Sequence, residues 1–261
     1  MKILELFGGI GACTKALKRL GIDYEIADYV EIDKYAVASF NAMNNTKFIP
    51  QDIREWDKDI EVDLVCHGSP CQSISVAGLQ HGADKGSGTR SSLMWETVRI
   101  VENLKPKYVI WENVKNILSK KHIHNFNAYL DAMKELGYNN YYDVLNAKDY
   151  GIPQNRERVF TVSIRKDIDK GLFLFPEKQE LKLRLKDLLE EEVDEKYFLK
   201  KTDNLVFTET RASWDNSGKG YGSQQDRAYY QDGLAPTLSS CNNNGDKSQV
   251  VLADKKEVFN E

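Results

Sequence analysis

The sequence predicts an α/β fold in which a largely parallel sheet is covered by helices. Within the first 165 residues, short apolar runs of strand length alternate with segments whose apolar residues recur at helical spacing. This alternation is typical of parallel sheets, because the chain must cross over the sheet between two parallel strands. A chain of 261 residues, 41% of them hydrophobic, is long enough to bury a core of this size.

The predicted strands and helices follow one another in a regular order. Strands are expected at residues 2–7, 24–30, 63–67 and 108–112, and two β-rich stretches, 141–145 and 158–164, would complete the sheet. Helices are expected at residues 14–20, 34–42, 92–103 and 125–136. Ligands gather at such a sheet where strand ends meet loops, so polar clusters directly after apolar runs are the best candidates for a site.

The composition of the chain changes beyond residue 176. A charged stretch, 178–201, is followed by a region rich in Gly, Ser, Asn and Tyr, 213–247. We therefore place a boundary near Pro176, which gives a first domain of residues 1–176 and a second region of residues 177–261. The second region has two interpretations: a low-complexity linker, or a ligand-reading lobe built from irregular loops.

Net charge and cysteine usage exclude several classes of protein. The formal charge of −4 argues against a chain that is basic all over, although it is compatible with a local basic groove. The four cysteines have no metal-binding spacing and do not form the framework of a small secreted protein, so we expect reduced thiols and no metal. The N-terminus lacks a signal-peptide core, and no apolar run approaches the ~18 residues of a membrane span, which predicts a soluble cytoplasmic protein.

A glycine turn and three carboxylates suggest a nucleotide-like ligand. Residues 6–11 (Leu-Phe-Gly-Gly-Ile-Gly) lead from the first strand into the first helix, where glycines allow close approach of a ligand. Glu31 follows the second strand, where a carboxylate can accept both hydroxyls of a ribose, and Asp52 could accept an adenine amino proton. The structural alternatives are glycines used for packing, Glu31 and Asp33 at a helix start, and a turn aspartate.

A cysteine loop is the most informative cluster. Residues 69–72 (Ser-Pro-Cys-Gln) follow a buried strand, and a rigid proline at a strand end predicts that Cys71 is presented as an exposed nucleophile. Cys66, within that strand, is interpreted as a buried structural cysteine. Two further polar clusters adjoin other strands, residues 112–114 (Glu-Asn-Val) and residues 154–158 (Gln-Asn-Arg-Glu-Arg).

Taken together and in this order, these clusters resemble the signature motifs of cytosine-5 DNA methyltransferases of the bacterial or phage type. The resemblance covers most of residues 2–165. It implies a Rossmann-like, S-adenosylmethionine-dependent methyltransferase fold, a mostly parallel sheet with helices on both faces, plus a smaller irregular target-recognition lobe. It also implies methylation of carbon 5 of a cytosine in duplex DNA, with S-adenosylhomocysteine as the other product.

The resemblance assigns catalytic roles to Cys71, Glu112, Arg156 and Arg158. Cys71 would add to carbon 6 of a cytosine flipped out of the duplex, with its thiolate stabilised by a nearby positive charge. Glu112 would contact ring nitrogen 3 and the exocyclic amine. The two arginines would contact the base carbonyl and Glu112 or backbone, with Arg158 preferred at the base.

Further residues are assigned to the two substrates. Gln72 and Ser75 would contact DNA near the vacated space, and Thr237, in a segment similar to the Thr-Leu pair of the family, would contact the DNA backbone. The residues expected to bind the cofactor are Phe7, Gly9, Gly11, Glu31, Ile32, Asp52, Ile53, Pro70 and Leu93.

The sequence departs from the family pattern after residue 239, and other functions remain in competition. The two closing C-terminal motifs of the family are missing, so we expect a truncated chain or a second polypeptide that supplies them. The rivals are a cytosine-5 tRNA methyltransferase, a non-catalytic DNA-binding subunit that needs a partner chain, and a nucleotide-binding oxidoreductase. The last would leave the cysteine loop and the paired arginines without a role.

Overall fold

The computed structural model describes residues 1–70, 83–84, 86–194, 206–208, 227–230, 232–235 and 252–253, with backbone only for 206–208, 227–230 and 252–253. The elements of its main sheet and the helices between them have these bounds: β1 (Lys2–Leu6), α1 (Ala12–Arg19), β2 (Glu25–Val30), α2 (Lys34–Asn44), β3 (Leu64–His67), α3 (Met94–Leu104), β4 (Tyr108–Val114), α4 (Ile123–Glu135), β5 (Tyr138–Asn146) and β6 (Glu157–Arg165).

The six strands form one mostly parallel sheet in the order β2-β1-β3-β4-β6-β5. Strands β2, β1, β3 and β4 are parallel neighbours, and β6 runs antiparallel to β4. The predicted α/β class and each predicted strand and helix of residues 2–165 are therefore confirmed, with shifted bounds. For example, residues Arg90–Leu93 form a 3-10 turn capped by Thr89, and α3 begins only at Met94.

Helices cover both faces of the sheet, as the alternation of buried side chains along the strands requires. On one face, side chains from β1, β3 and β4 pack against α3 and α4. On the other, Ile3, Leu64 and Cys66 pack against Leu17 of α1. The first cluster includes Leu4, Leu6, Val65, Val109 and Trp111 from the strands, and Ile100, Val101, Phe126, Tyr129 and Met133 from the helices.

The expectation of reduced thiols is corrected for two of the cysteines. Cys13 of α1 and Cys66 of β3 form a disulfide with their Cα atoms 6.5 Å apart, at a sequence separation of 53. The physical reason is that α1 packs on the face of the sheet toward which Cys66 points. Cys66 is buried, which agrees with its interpretation as a structural cysteine, while Cys71 and Cys241 lie outside the described residues.

The chain divides into two compact units. The first contains residues 1–144 and 158–175, and the second contains residues 145–157 and 176–261. The segment 145–157, which the sequence places in the first domain, thus groups with the second unit, and the boundary near Pro176 stays a prediction. The second unit also holds a three-stranded parallel sheet of β7 (Val206–Thr208), β8 (Arg227–Tyr230) and β9 (Leu252–Ala253).

No helix in the described part of the chain combines the length and apolar character needed to cross a membrane.

A buried carboxylate fastens the segment after α2 to strand β2. Asp28 is almost fully buried and accepts hydrogen bonds from Trp56 Nε1 and Lys58 Nζ, each at 2.7 Å, and from Gln51 Nε2 at 3.2 Å. Burial raises the pKa of Asp28, but the hydrogen bonds from Lys58, Trp56, Gln51 and the Tyr29 amide together lower it by more, so the pKa lies below its ordinary value.

A guanidinium contacts the same segment through its backbone carbonyl groups. Arg99 of α3 donates to the carbonyl oxygens of Ile53 and Trp56, both at 2.9 Å, and pairs with Glu96 at 2.8 Å. The turn that contains Asp52 and Ile53 is therefore positioned by the polar contacts of Asp28 and Arg99 as well as by apolar packing.

We expect Asp28→Asn to destabilise the fold in a pH-dependent way. Because the folded pKa lies below the unfolded value of about 3.9, the contribution of ionised Asp28 is fully present above that value and is lost as the pH falls through the folded pKa. At neutral pH the variant should lose about 1–3 kcal/mol of unfolding free energy, because an amide cannot accept all these donors. The measurement is urea unfolding between pH 3 and 7.

The matched control is Asp131→Asn, at an exposed position of α4, which should unfold at the wild-type midpoint throughout this range. A deficit in Asp28→Asn that stayed constant down to the lowest pH would contradict the assignment.

Candidate active site

The register of the parallel strands gathers the predicted site at one edge of the sheet. Val30 of β2 is paired with Leu6 of β1, Leu6 with His67 of β3, and His67 with Trp111 of β4. The residues that follow these four positions are Glu31, Phe7, Gly68 and Glu112. Because parallel strands end at the same edge, groups far apart in sequence lie here side by side.

The glycine turn after β1 is shaped by two aromatic rings. A Cβ atom on Gly8 would lie 2.5 Å from Tyr29 Cε2, and one on Gly11, whose φ is +90°, would lie 2.7 Å from Phe40 Cδ2. The Tyr29 hydroxyl donates to the Gly9 carbonyl at 2.5 Å, and burial raises its pKa, so it stays protonated as a donor. Only glycine fits both positions, and the turn is thereby held against β2 and α2.

Glu31 and Asp33 have different structural roles. The Glu31 carboxylate accepts the Gly9 amide through Oε2 at 3.1 Å, and the Ile32 and Asp33 amides through Oε1 at 2.8 and 2.9 Å. Asp33 instead caps α2 by accepting the Tyr35 amide at 2.7 Å. Glu31 thus connects the ends of β1 and β2, and the Ile32 side chain beside it is 65% exposed.

Asp52 lies next to this pair of strand ends and is paired with an arginine. The Gln51 amide donates to the Glu31 carbonyl at 2.8 Å, and Arg54 Nε lies 3.0 and 3.1 Å from the two Asp52 carboxylate oxygens. The hydrogen bond from Arg54 lowers the pKa of Asp52, so the carboxylate is ionised at neutral pH. Ile53 is different, because its side chain is buried in the core.

Two other predicted cofactor residues lie on segments that leave the sheet. Leu93 ends the 3-10 turn before α3 and is partly buried against the main core. Pro70 is half-buried, three residues after the end of β3.

Glu112 and Arg158 form an ion pair at the end of β4. Arg158 Nε lies 3.0 Å from Glu112 Oε1, and the side chains are 17% and 31% exposed respectively. A Cβ on Gly68 would lie 3.7 Å from Glu112 Oε2, so the carboxylate stands over the backbone where β3 ends. The structure therefore brings Glu112, Arg158 and the start of the cysteine loop together.

The loop that carries Arg156 belongs to the second unit and is fastened by an asparagine. Asn146 Nδ2 donates to Asn155 Oδ1 at 2.8 Å, and Asn146 Oδ1 accepts the Arg156 amide at 3.0 Å. The Ala235 amide donates to the Pro153 carbonyl at 2.8 Å, and the Asn155 amide donates to the Ala235 carbonyl at 3.0 Å. The two arginines of the 154–158 cluster thus fall in different units.

Four predicted site residues, Cys71, Gln72, Ser75 and Thr237, lie outside the described residues. Two residues that shape the site, Tyr29 and Arg54, are not among those predicted from the sequence. Tyr29 is the last but one residue of β2, and only the pairing of β2 with β1 places it beside the glycine turn, 20 residues away in sequence. Arg54 follows Asp52 by two residues, a spacing common to many exposed ion pairs that points to no site.

The family description "C-5 cytosine-specific DNA methylase" matches residues 1–260 of the chain. The chain belongs to this family. Members of the family are DNA cytosine-5 methyltransferases and use S-adenosylmethionine, so the predicted family and enzyme class are confirmed.

Curated relatives of the methylase come from bacteria and bacteriophages. The type II methyltransferase M2.ScrFI of Lactococcus lactis subsp. cremoris is 37% identical, over 77% of this chain and 70% of the relative. The orphan methyltransferase M.SPRI of Bacillus phage SPR is 32% identical, over the whole of this chain and 69% of its own. The type II methyltransferase M.HhaI of Haemophilus parahaemolyticus is 34% identical, over 92% of this chain and 74% of its own.

Solved structures share the fold of the methylase. A DNMT2 variant from Spodoptera frugiperda has a TM-score of 0.64 at 21% identity, with 91% of this chain and 70% of that chain covered. A putative prophage DNA modification methyltransferase from E. coli has a TM-score of 0.59 at 22% identity, covering 74% and 56%. These likenesses support the mostly parallel sheet described above.

Proposed function

We propose that this methylase transfers a methyl group from S-adenosylmethionine to carbon 5 of a flipped-out cytosine in a specific duplex DNA sequence, through a covalent Cys71 adduct. The observation that carries the proposal is the row of strand ends. It places the glycine turn and Glu31 at one side, the start of the cysteine loop in the middle, and the Glu112–Arg158 pair at the other side. A cofactor site and a base site on one sheet edge are what a methyl transfer requires.

The residues around the glycine turn fit a nucleoside group. Among the described contacts, Glu31 Oε2 accepts only the Gly9 amide, which leaves lone-pair capacity for a ribose hydroxyl. Exposed Ile32 offers an apolar surface for a base, and Asp52 an ionised acceptor for an amino group. When bound, S-adenosylmethionine supplies the methyl group. The proposed cofactor residues are Phe7, Gly9, Gly11, Glu31, Ile32, Asp52, Pro70 and Leu93, together with Ile53, which would contribute only backbone atoms because its side chain lies in the core.

The proposed chemistry follows from the reactivity of cytosine. Its carbon 5 is a poor nucleophile, so the Cys71 thiolate first forms an S–C6 bond and pushes an electron pair toward carbon 5. Glu112 contacts ring nitrogen 3 and the exocyclic amine, and Arg158, already paired with Glu112 at 3.0 Å, contacts the base carbonyl. After carbon 5 takes the methyl group, it loses its proton to a base or water, and the S–C6 bond breaks to release Cys71.

Double-stranded DNA is the proposed partner, and the target base must leave the stack to reach the site. Gln72 and Ser75 are proposed to contact the vacated space, and Thr237 the DNA backbone. Ala235 forms backbone hydrogen bonds with Pro153 and Asn155. These bonds connect the loop that carries Arg156 to the residue two positions before Thr237. The bacterial and phage origin of the relatives supports action in the cytoplasm of a bacterial or phage-infected cell.

We expect Glu31→Gln to weaken cofactor binding. A glutamine replaces one acceptor oxygen of the carboxylate by an NH2 donor group, so a backbone amide of Gly9, Ile32 or Asp33 is opposed by another donor. The Kd for S-adenosylmethionine, measured by equilibrium dialysis, should rise by about tenfold. Glu25→Gln, at the exposed start of β2, is the control and should bind as the wild type does. Equal affinity in both variants would contradict the site.

We expect Cys71→Ser to abolish covalent trapping. A duplex that contains 5-fluorocytosine at the target position should capture the wild-type chain in the presence of S-adenosylmethionine, because the base cannot release its fluorine. A serine hydroxyl is a much weaker nucleophile, so the variant should give no shifted band on a denaturing gel. Cys241→Ser serves as the control and should be trapped normally. An adduct formed by Cys71→Ser would disprove the proposed mechanism.

The choice of nucleic acid can be tested directly. Equal concentrations of duplex DNA and tRNA are incubated with labelled S-adenosylmethionine, and label is expected in the DNA. Methylation should fall steeply between about 0.05 and 0.2 M salt, because phosphate contacts release counterions. Label in tRNA with untouched DNA would favour the alternative of a cytosine-5 tRNA methyltransferase. DNA binding without label in either would favour a non-catalytic subunit.

A further inference from the structure

A buried hydrogen bond connects the end of β4 to the start of the cysteine loop. Trp111 Nε1 donates to Ser69 Oγ at 3.0 Å, and both residues are almost fully buried. Trp111 lies next to Glu112 on β4, and Ser69 lies two residues before Cys71. The bond therefore joins the two chain segments that carry the proposed base-contacting carboxylate and the proposed nucleophile.

The Trp111 indole is itself fixed by a buried histidine. The His67 and Trp111 rings are stacked with centroids 5.7 Å apart and planes 2° apart. His67 Nε2 lies 3.0 Å from the Tyr129 hydroxyl of α4, and His67 Nδ1 lies 3.4 Å from Thr97 Oγ1 of α3. Burial lowers the pKa of His67 to about 3, so at neutral pH the ring is uncharged, with one donor and one acceptor nitrogen for these two hydroxyls.

The ends of β3 and β4 are in contact on both faces of the sheet. Because side chains alternate along a strand, Trp111 and Glu112 point to opposite faces. Trp111 holds Ser69 on one face, while Glu112 Oε2 stands over Gly68, 3.7 Å from where its Cβ would be, on the other. Residues 68–69 therefore lie between two neighbouring side chains of β4, one on each face of the sheet.

Other tryptophans of the chain show that an indole N–H can donate its hydrogen bond to different kinds of acceptor. Trp95 is partly buried and donates through Nε1 to the backbone carbonyl of Ala83 at 3.0 Å, whereas the buried Trp56 donates to the Asp28 carboxylate at 2.7 Å. Trp111 instead donates to a serine hydroxyl at the first turn of the cysteine loop. This choice of acceptor sets the position of the Ser69 side chain as well as its backbone.

We infer that the Trp111–Ser69 hydrogen bond is a positioning contact that sets the distance between the cysteine loop and Glu112. The inference rests on the proposed function, in which Cys71 adds to carbon 6 while Glu112 holds the opposite edge of the same ring. Such an addition requires the reacting atoms to approach within about 3–3.5 Å in a fixed orientation, and a displacement of about 1 Å can cost on the order of 100-fold in rate. Ser69 and Trp111 touch neither base nor cofactor in this scheme and act through Cys71 and Glu112.

The test measures how fast the covalent adduct forms in Ser69→Ala, Trp111→Phe and the double variant. Each full-length chain is mixed with saturating 5-fluorocytosine duplex and S-adenosylmethionine, below its unfolding temperature, and trapped protein is followed over time. Each single variant should react at least about tenfold more slowly, with the KM values for DNA and cofactor in steady-state assays within about twofold of the wild type. Because both changes break one bond, the double variant should be no slower than the slower single variant.

The matched control is Ser163→Ala. Ser163 of β6 is also almost fully buried, and its hydroxyl donates to Asn140 Oδ1 at 2.6 Å. Its register partner is Val109, near the opposite end of β4 from Glu112. This variant loses a comparable buried hydrogen bond and should form adduct at the wild-type rate. Ser69→Ala alone decides the outcome if Trp111→Phe fails to fold.

The results separate the inference from the function on which it rests. Wild-type rates in Ser69→Ala, with no adduct in Cys71→Ser, would overturn the positioning role and leave the proposed function intact. Equal losses in Ser69→Ala and Ser163→Ala, or single effects that multiply in the double variant, would also overturn it. Adduct formation by Cys71→Ser would instead overturn the proposed function.

Discussion

The parallel register of β2, β1, β3 and β4 is the constraint on which the rest of the structure depends. Neighbouring strands lie about 4.8 Å apart. The residues that follow Val30, Leu6, His67 and Trp111 therefore form one short row along the edge of the sheet. A shift of one residue in any strand would turn its site residue to the other face of the sheet. The helices that connect the strands, and the core beneath them, maintain this register.

Buried polar groups hold the loops at this edge. Asp28 fixes the segment after α2, His67 supports Trp111, and Glu5 accepts the Thr14 amide and hydroxyl at 2.9 and 2.6 Å beneath the glycine turn. Burial raises the pKa of Glu5, while its hydrogen bonds with Thr14 oppose that shift. Groups of this kind contribute little net stability, but an unpaired one is costly, so they favour one arrangement of the loops over its alternatives.

The two arginines of the 154–158 cluster illustrate how a short motif can serve two parts of a protein. Arg158 begins the paired part of β6 and contacts Glu112 in the first unit. Arg156, two residues earlier, lies in a loop that Asn146 fastens and that pairs with Ala235 in the second unit. The contacts of these five residues are therefore divided between the two units.

Sequence alone determined the alternation of strands and helices, the glycine turn, the position of Glu31 directly after β2, and the position of Glu112 near the end of β4. These features are local, since periodicity, turn chemistry and motif order are written within a few residues of each other. Asp33 shows the limit of such inference, because its sequence context fits both a ligand and a helix cap, and only the hydrogen bond to Tyr35 decides for the cap.

Only the tertiary structure decided which distant residues meet. The Cys13–Cys66 disulfide, the burial of Ile53 and the Ser69–Trp111 bond each depend on which face of the sheet a helix covers and on how neighbouring strands are aligned. Ser69 and Trp111 are 42 residues apart in sequence, and no local pattern relates them. Contacts across strands are set by register and crossover, which local sequence restricts but does not specify.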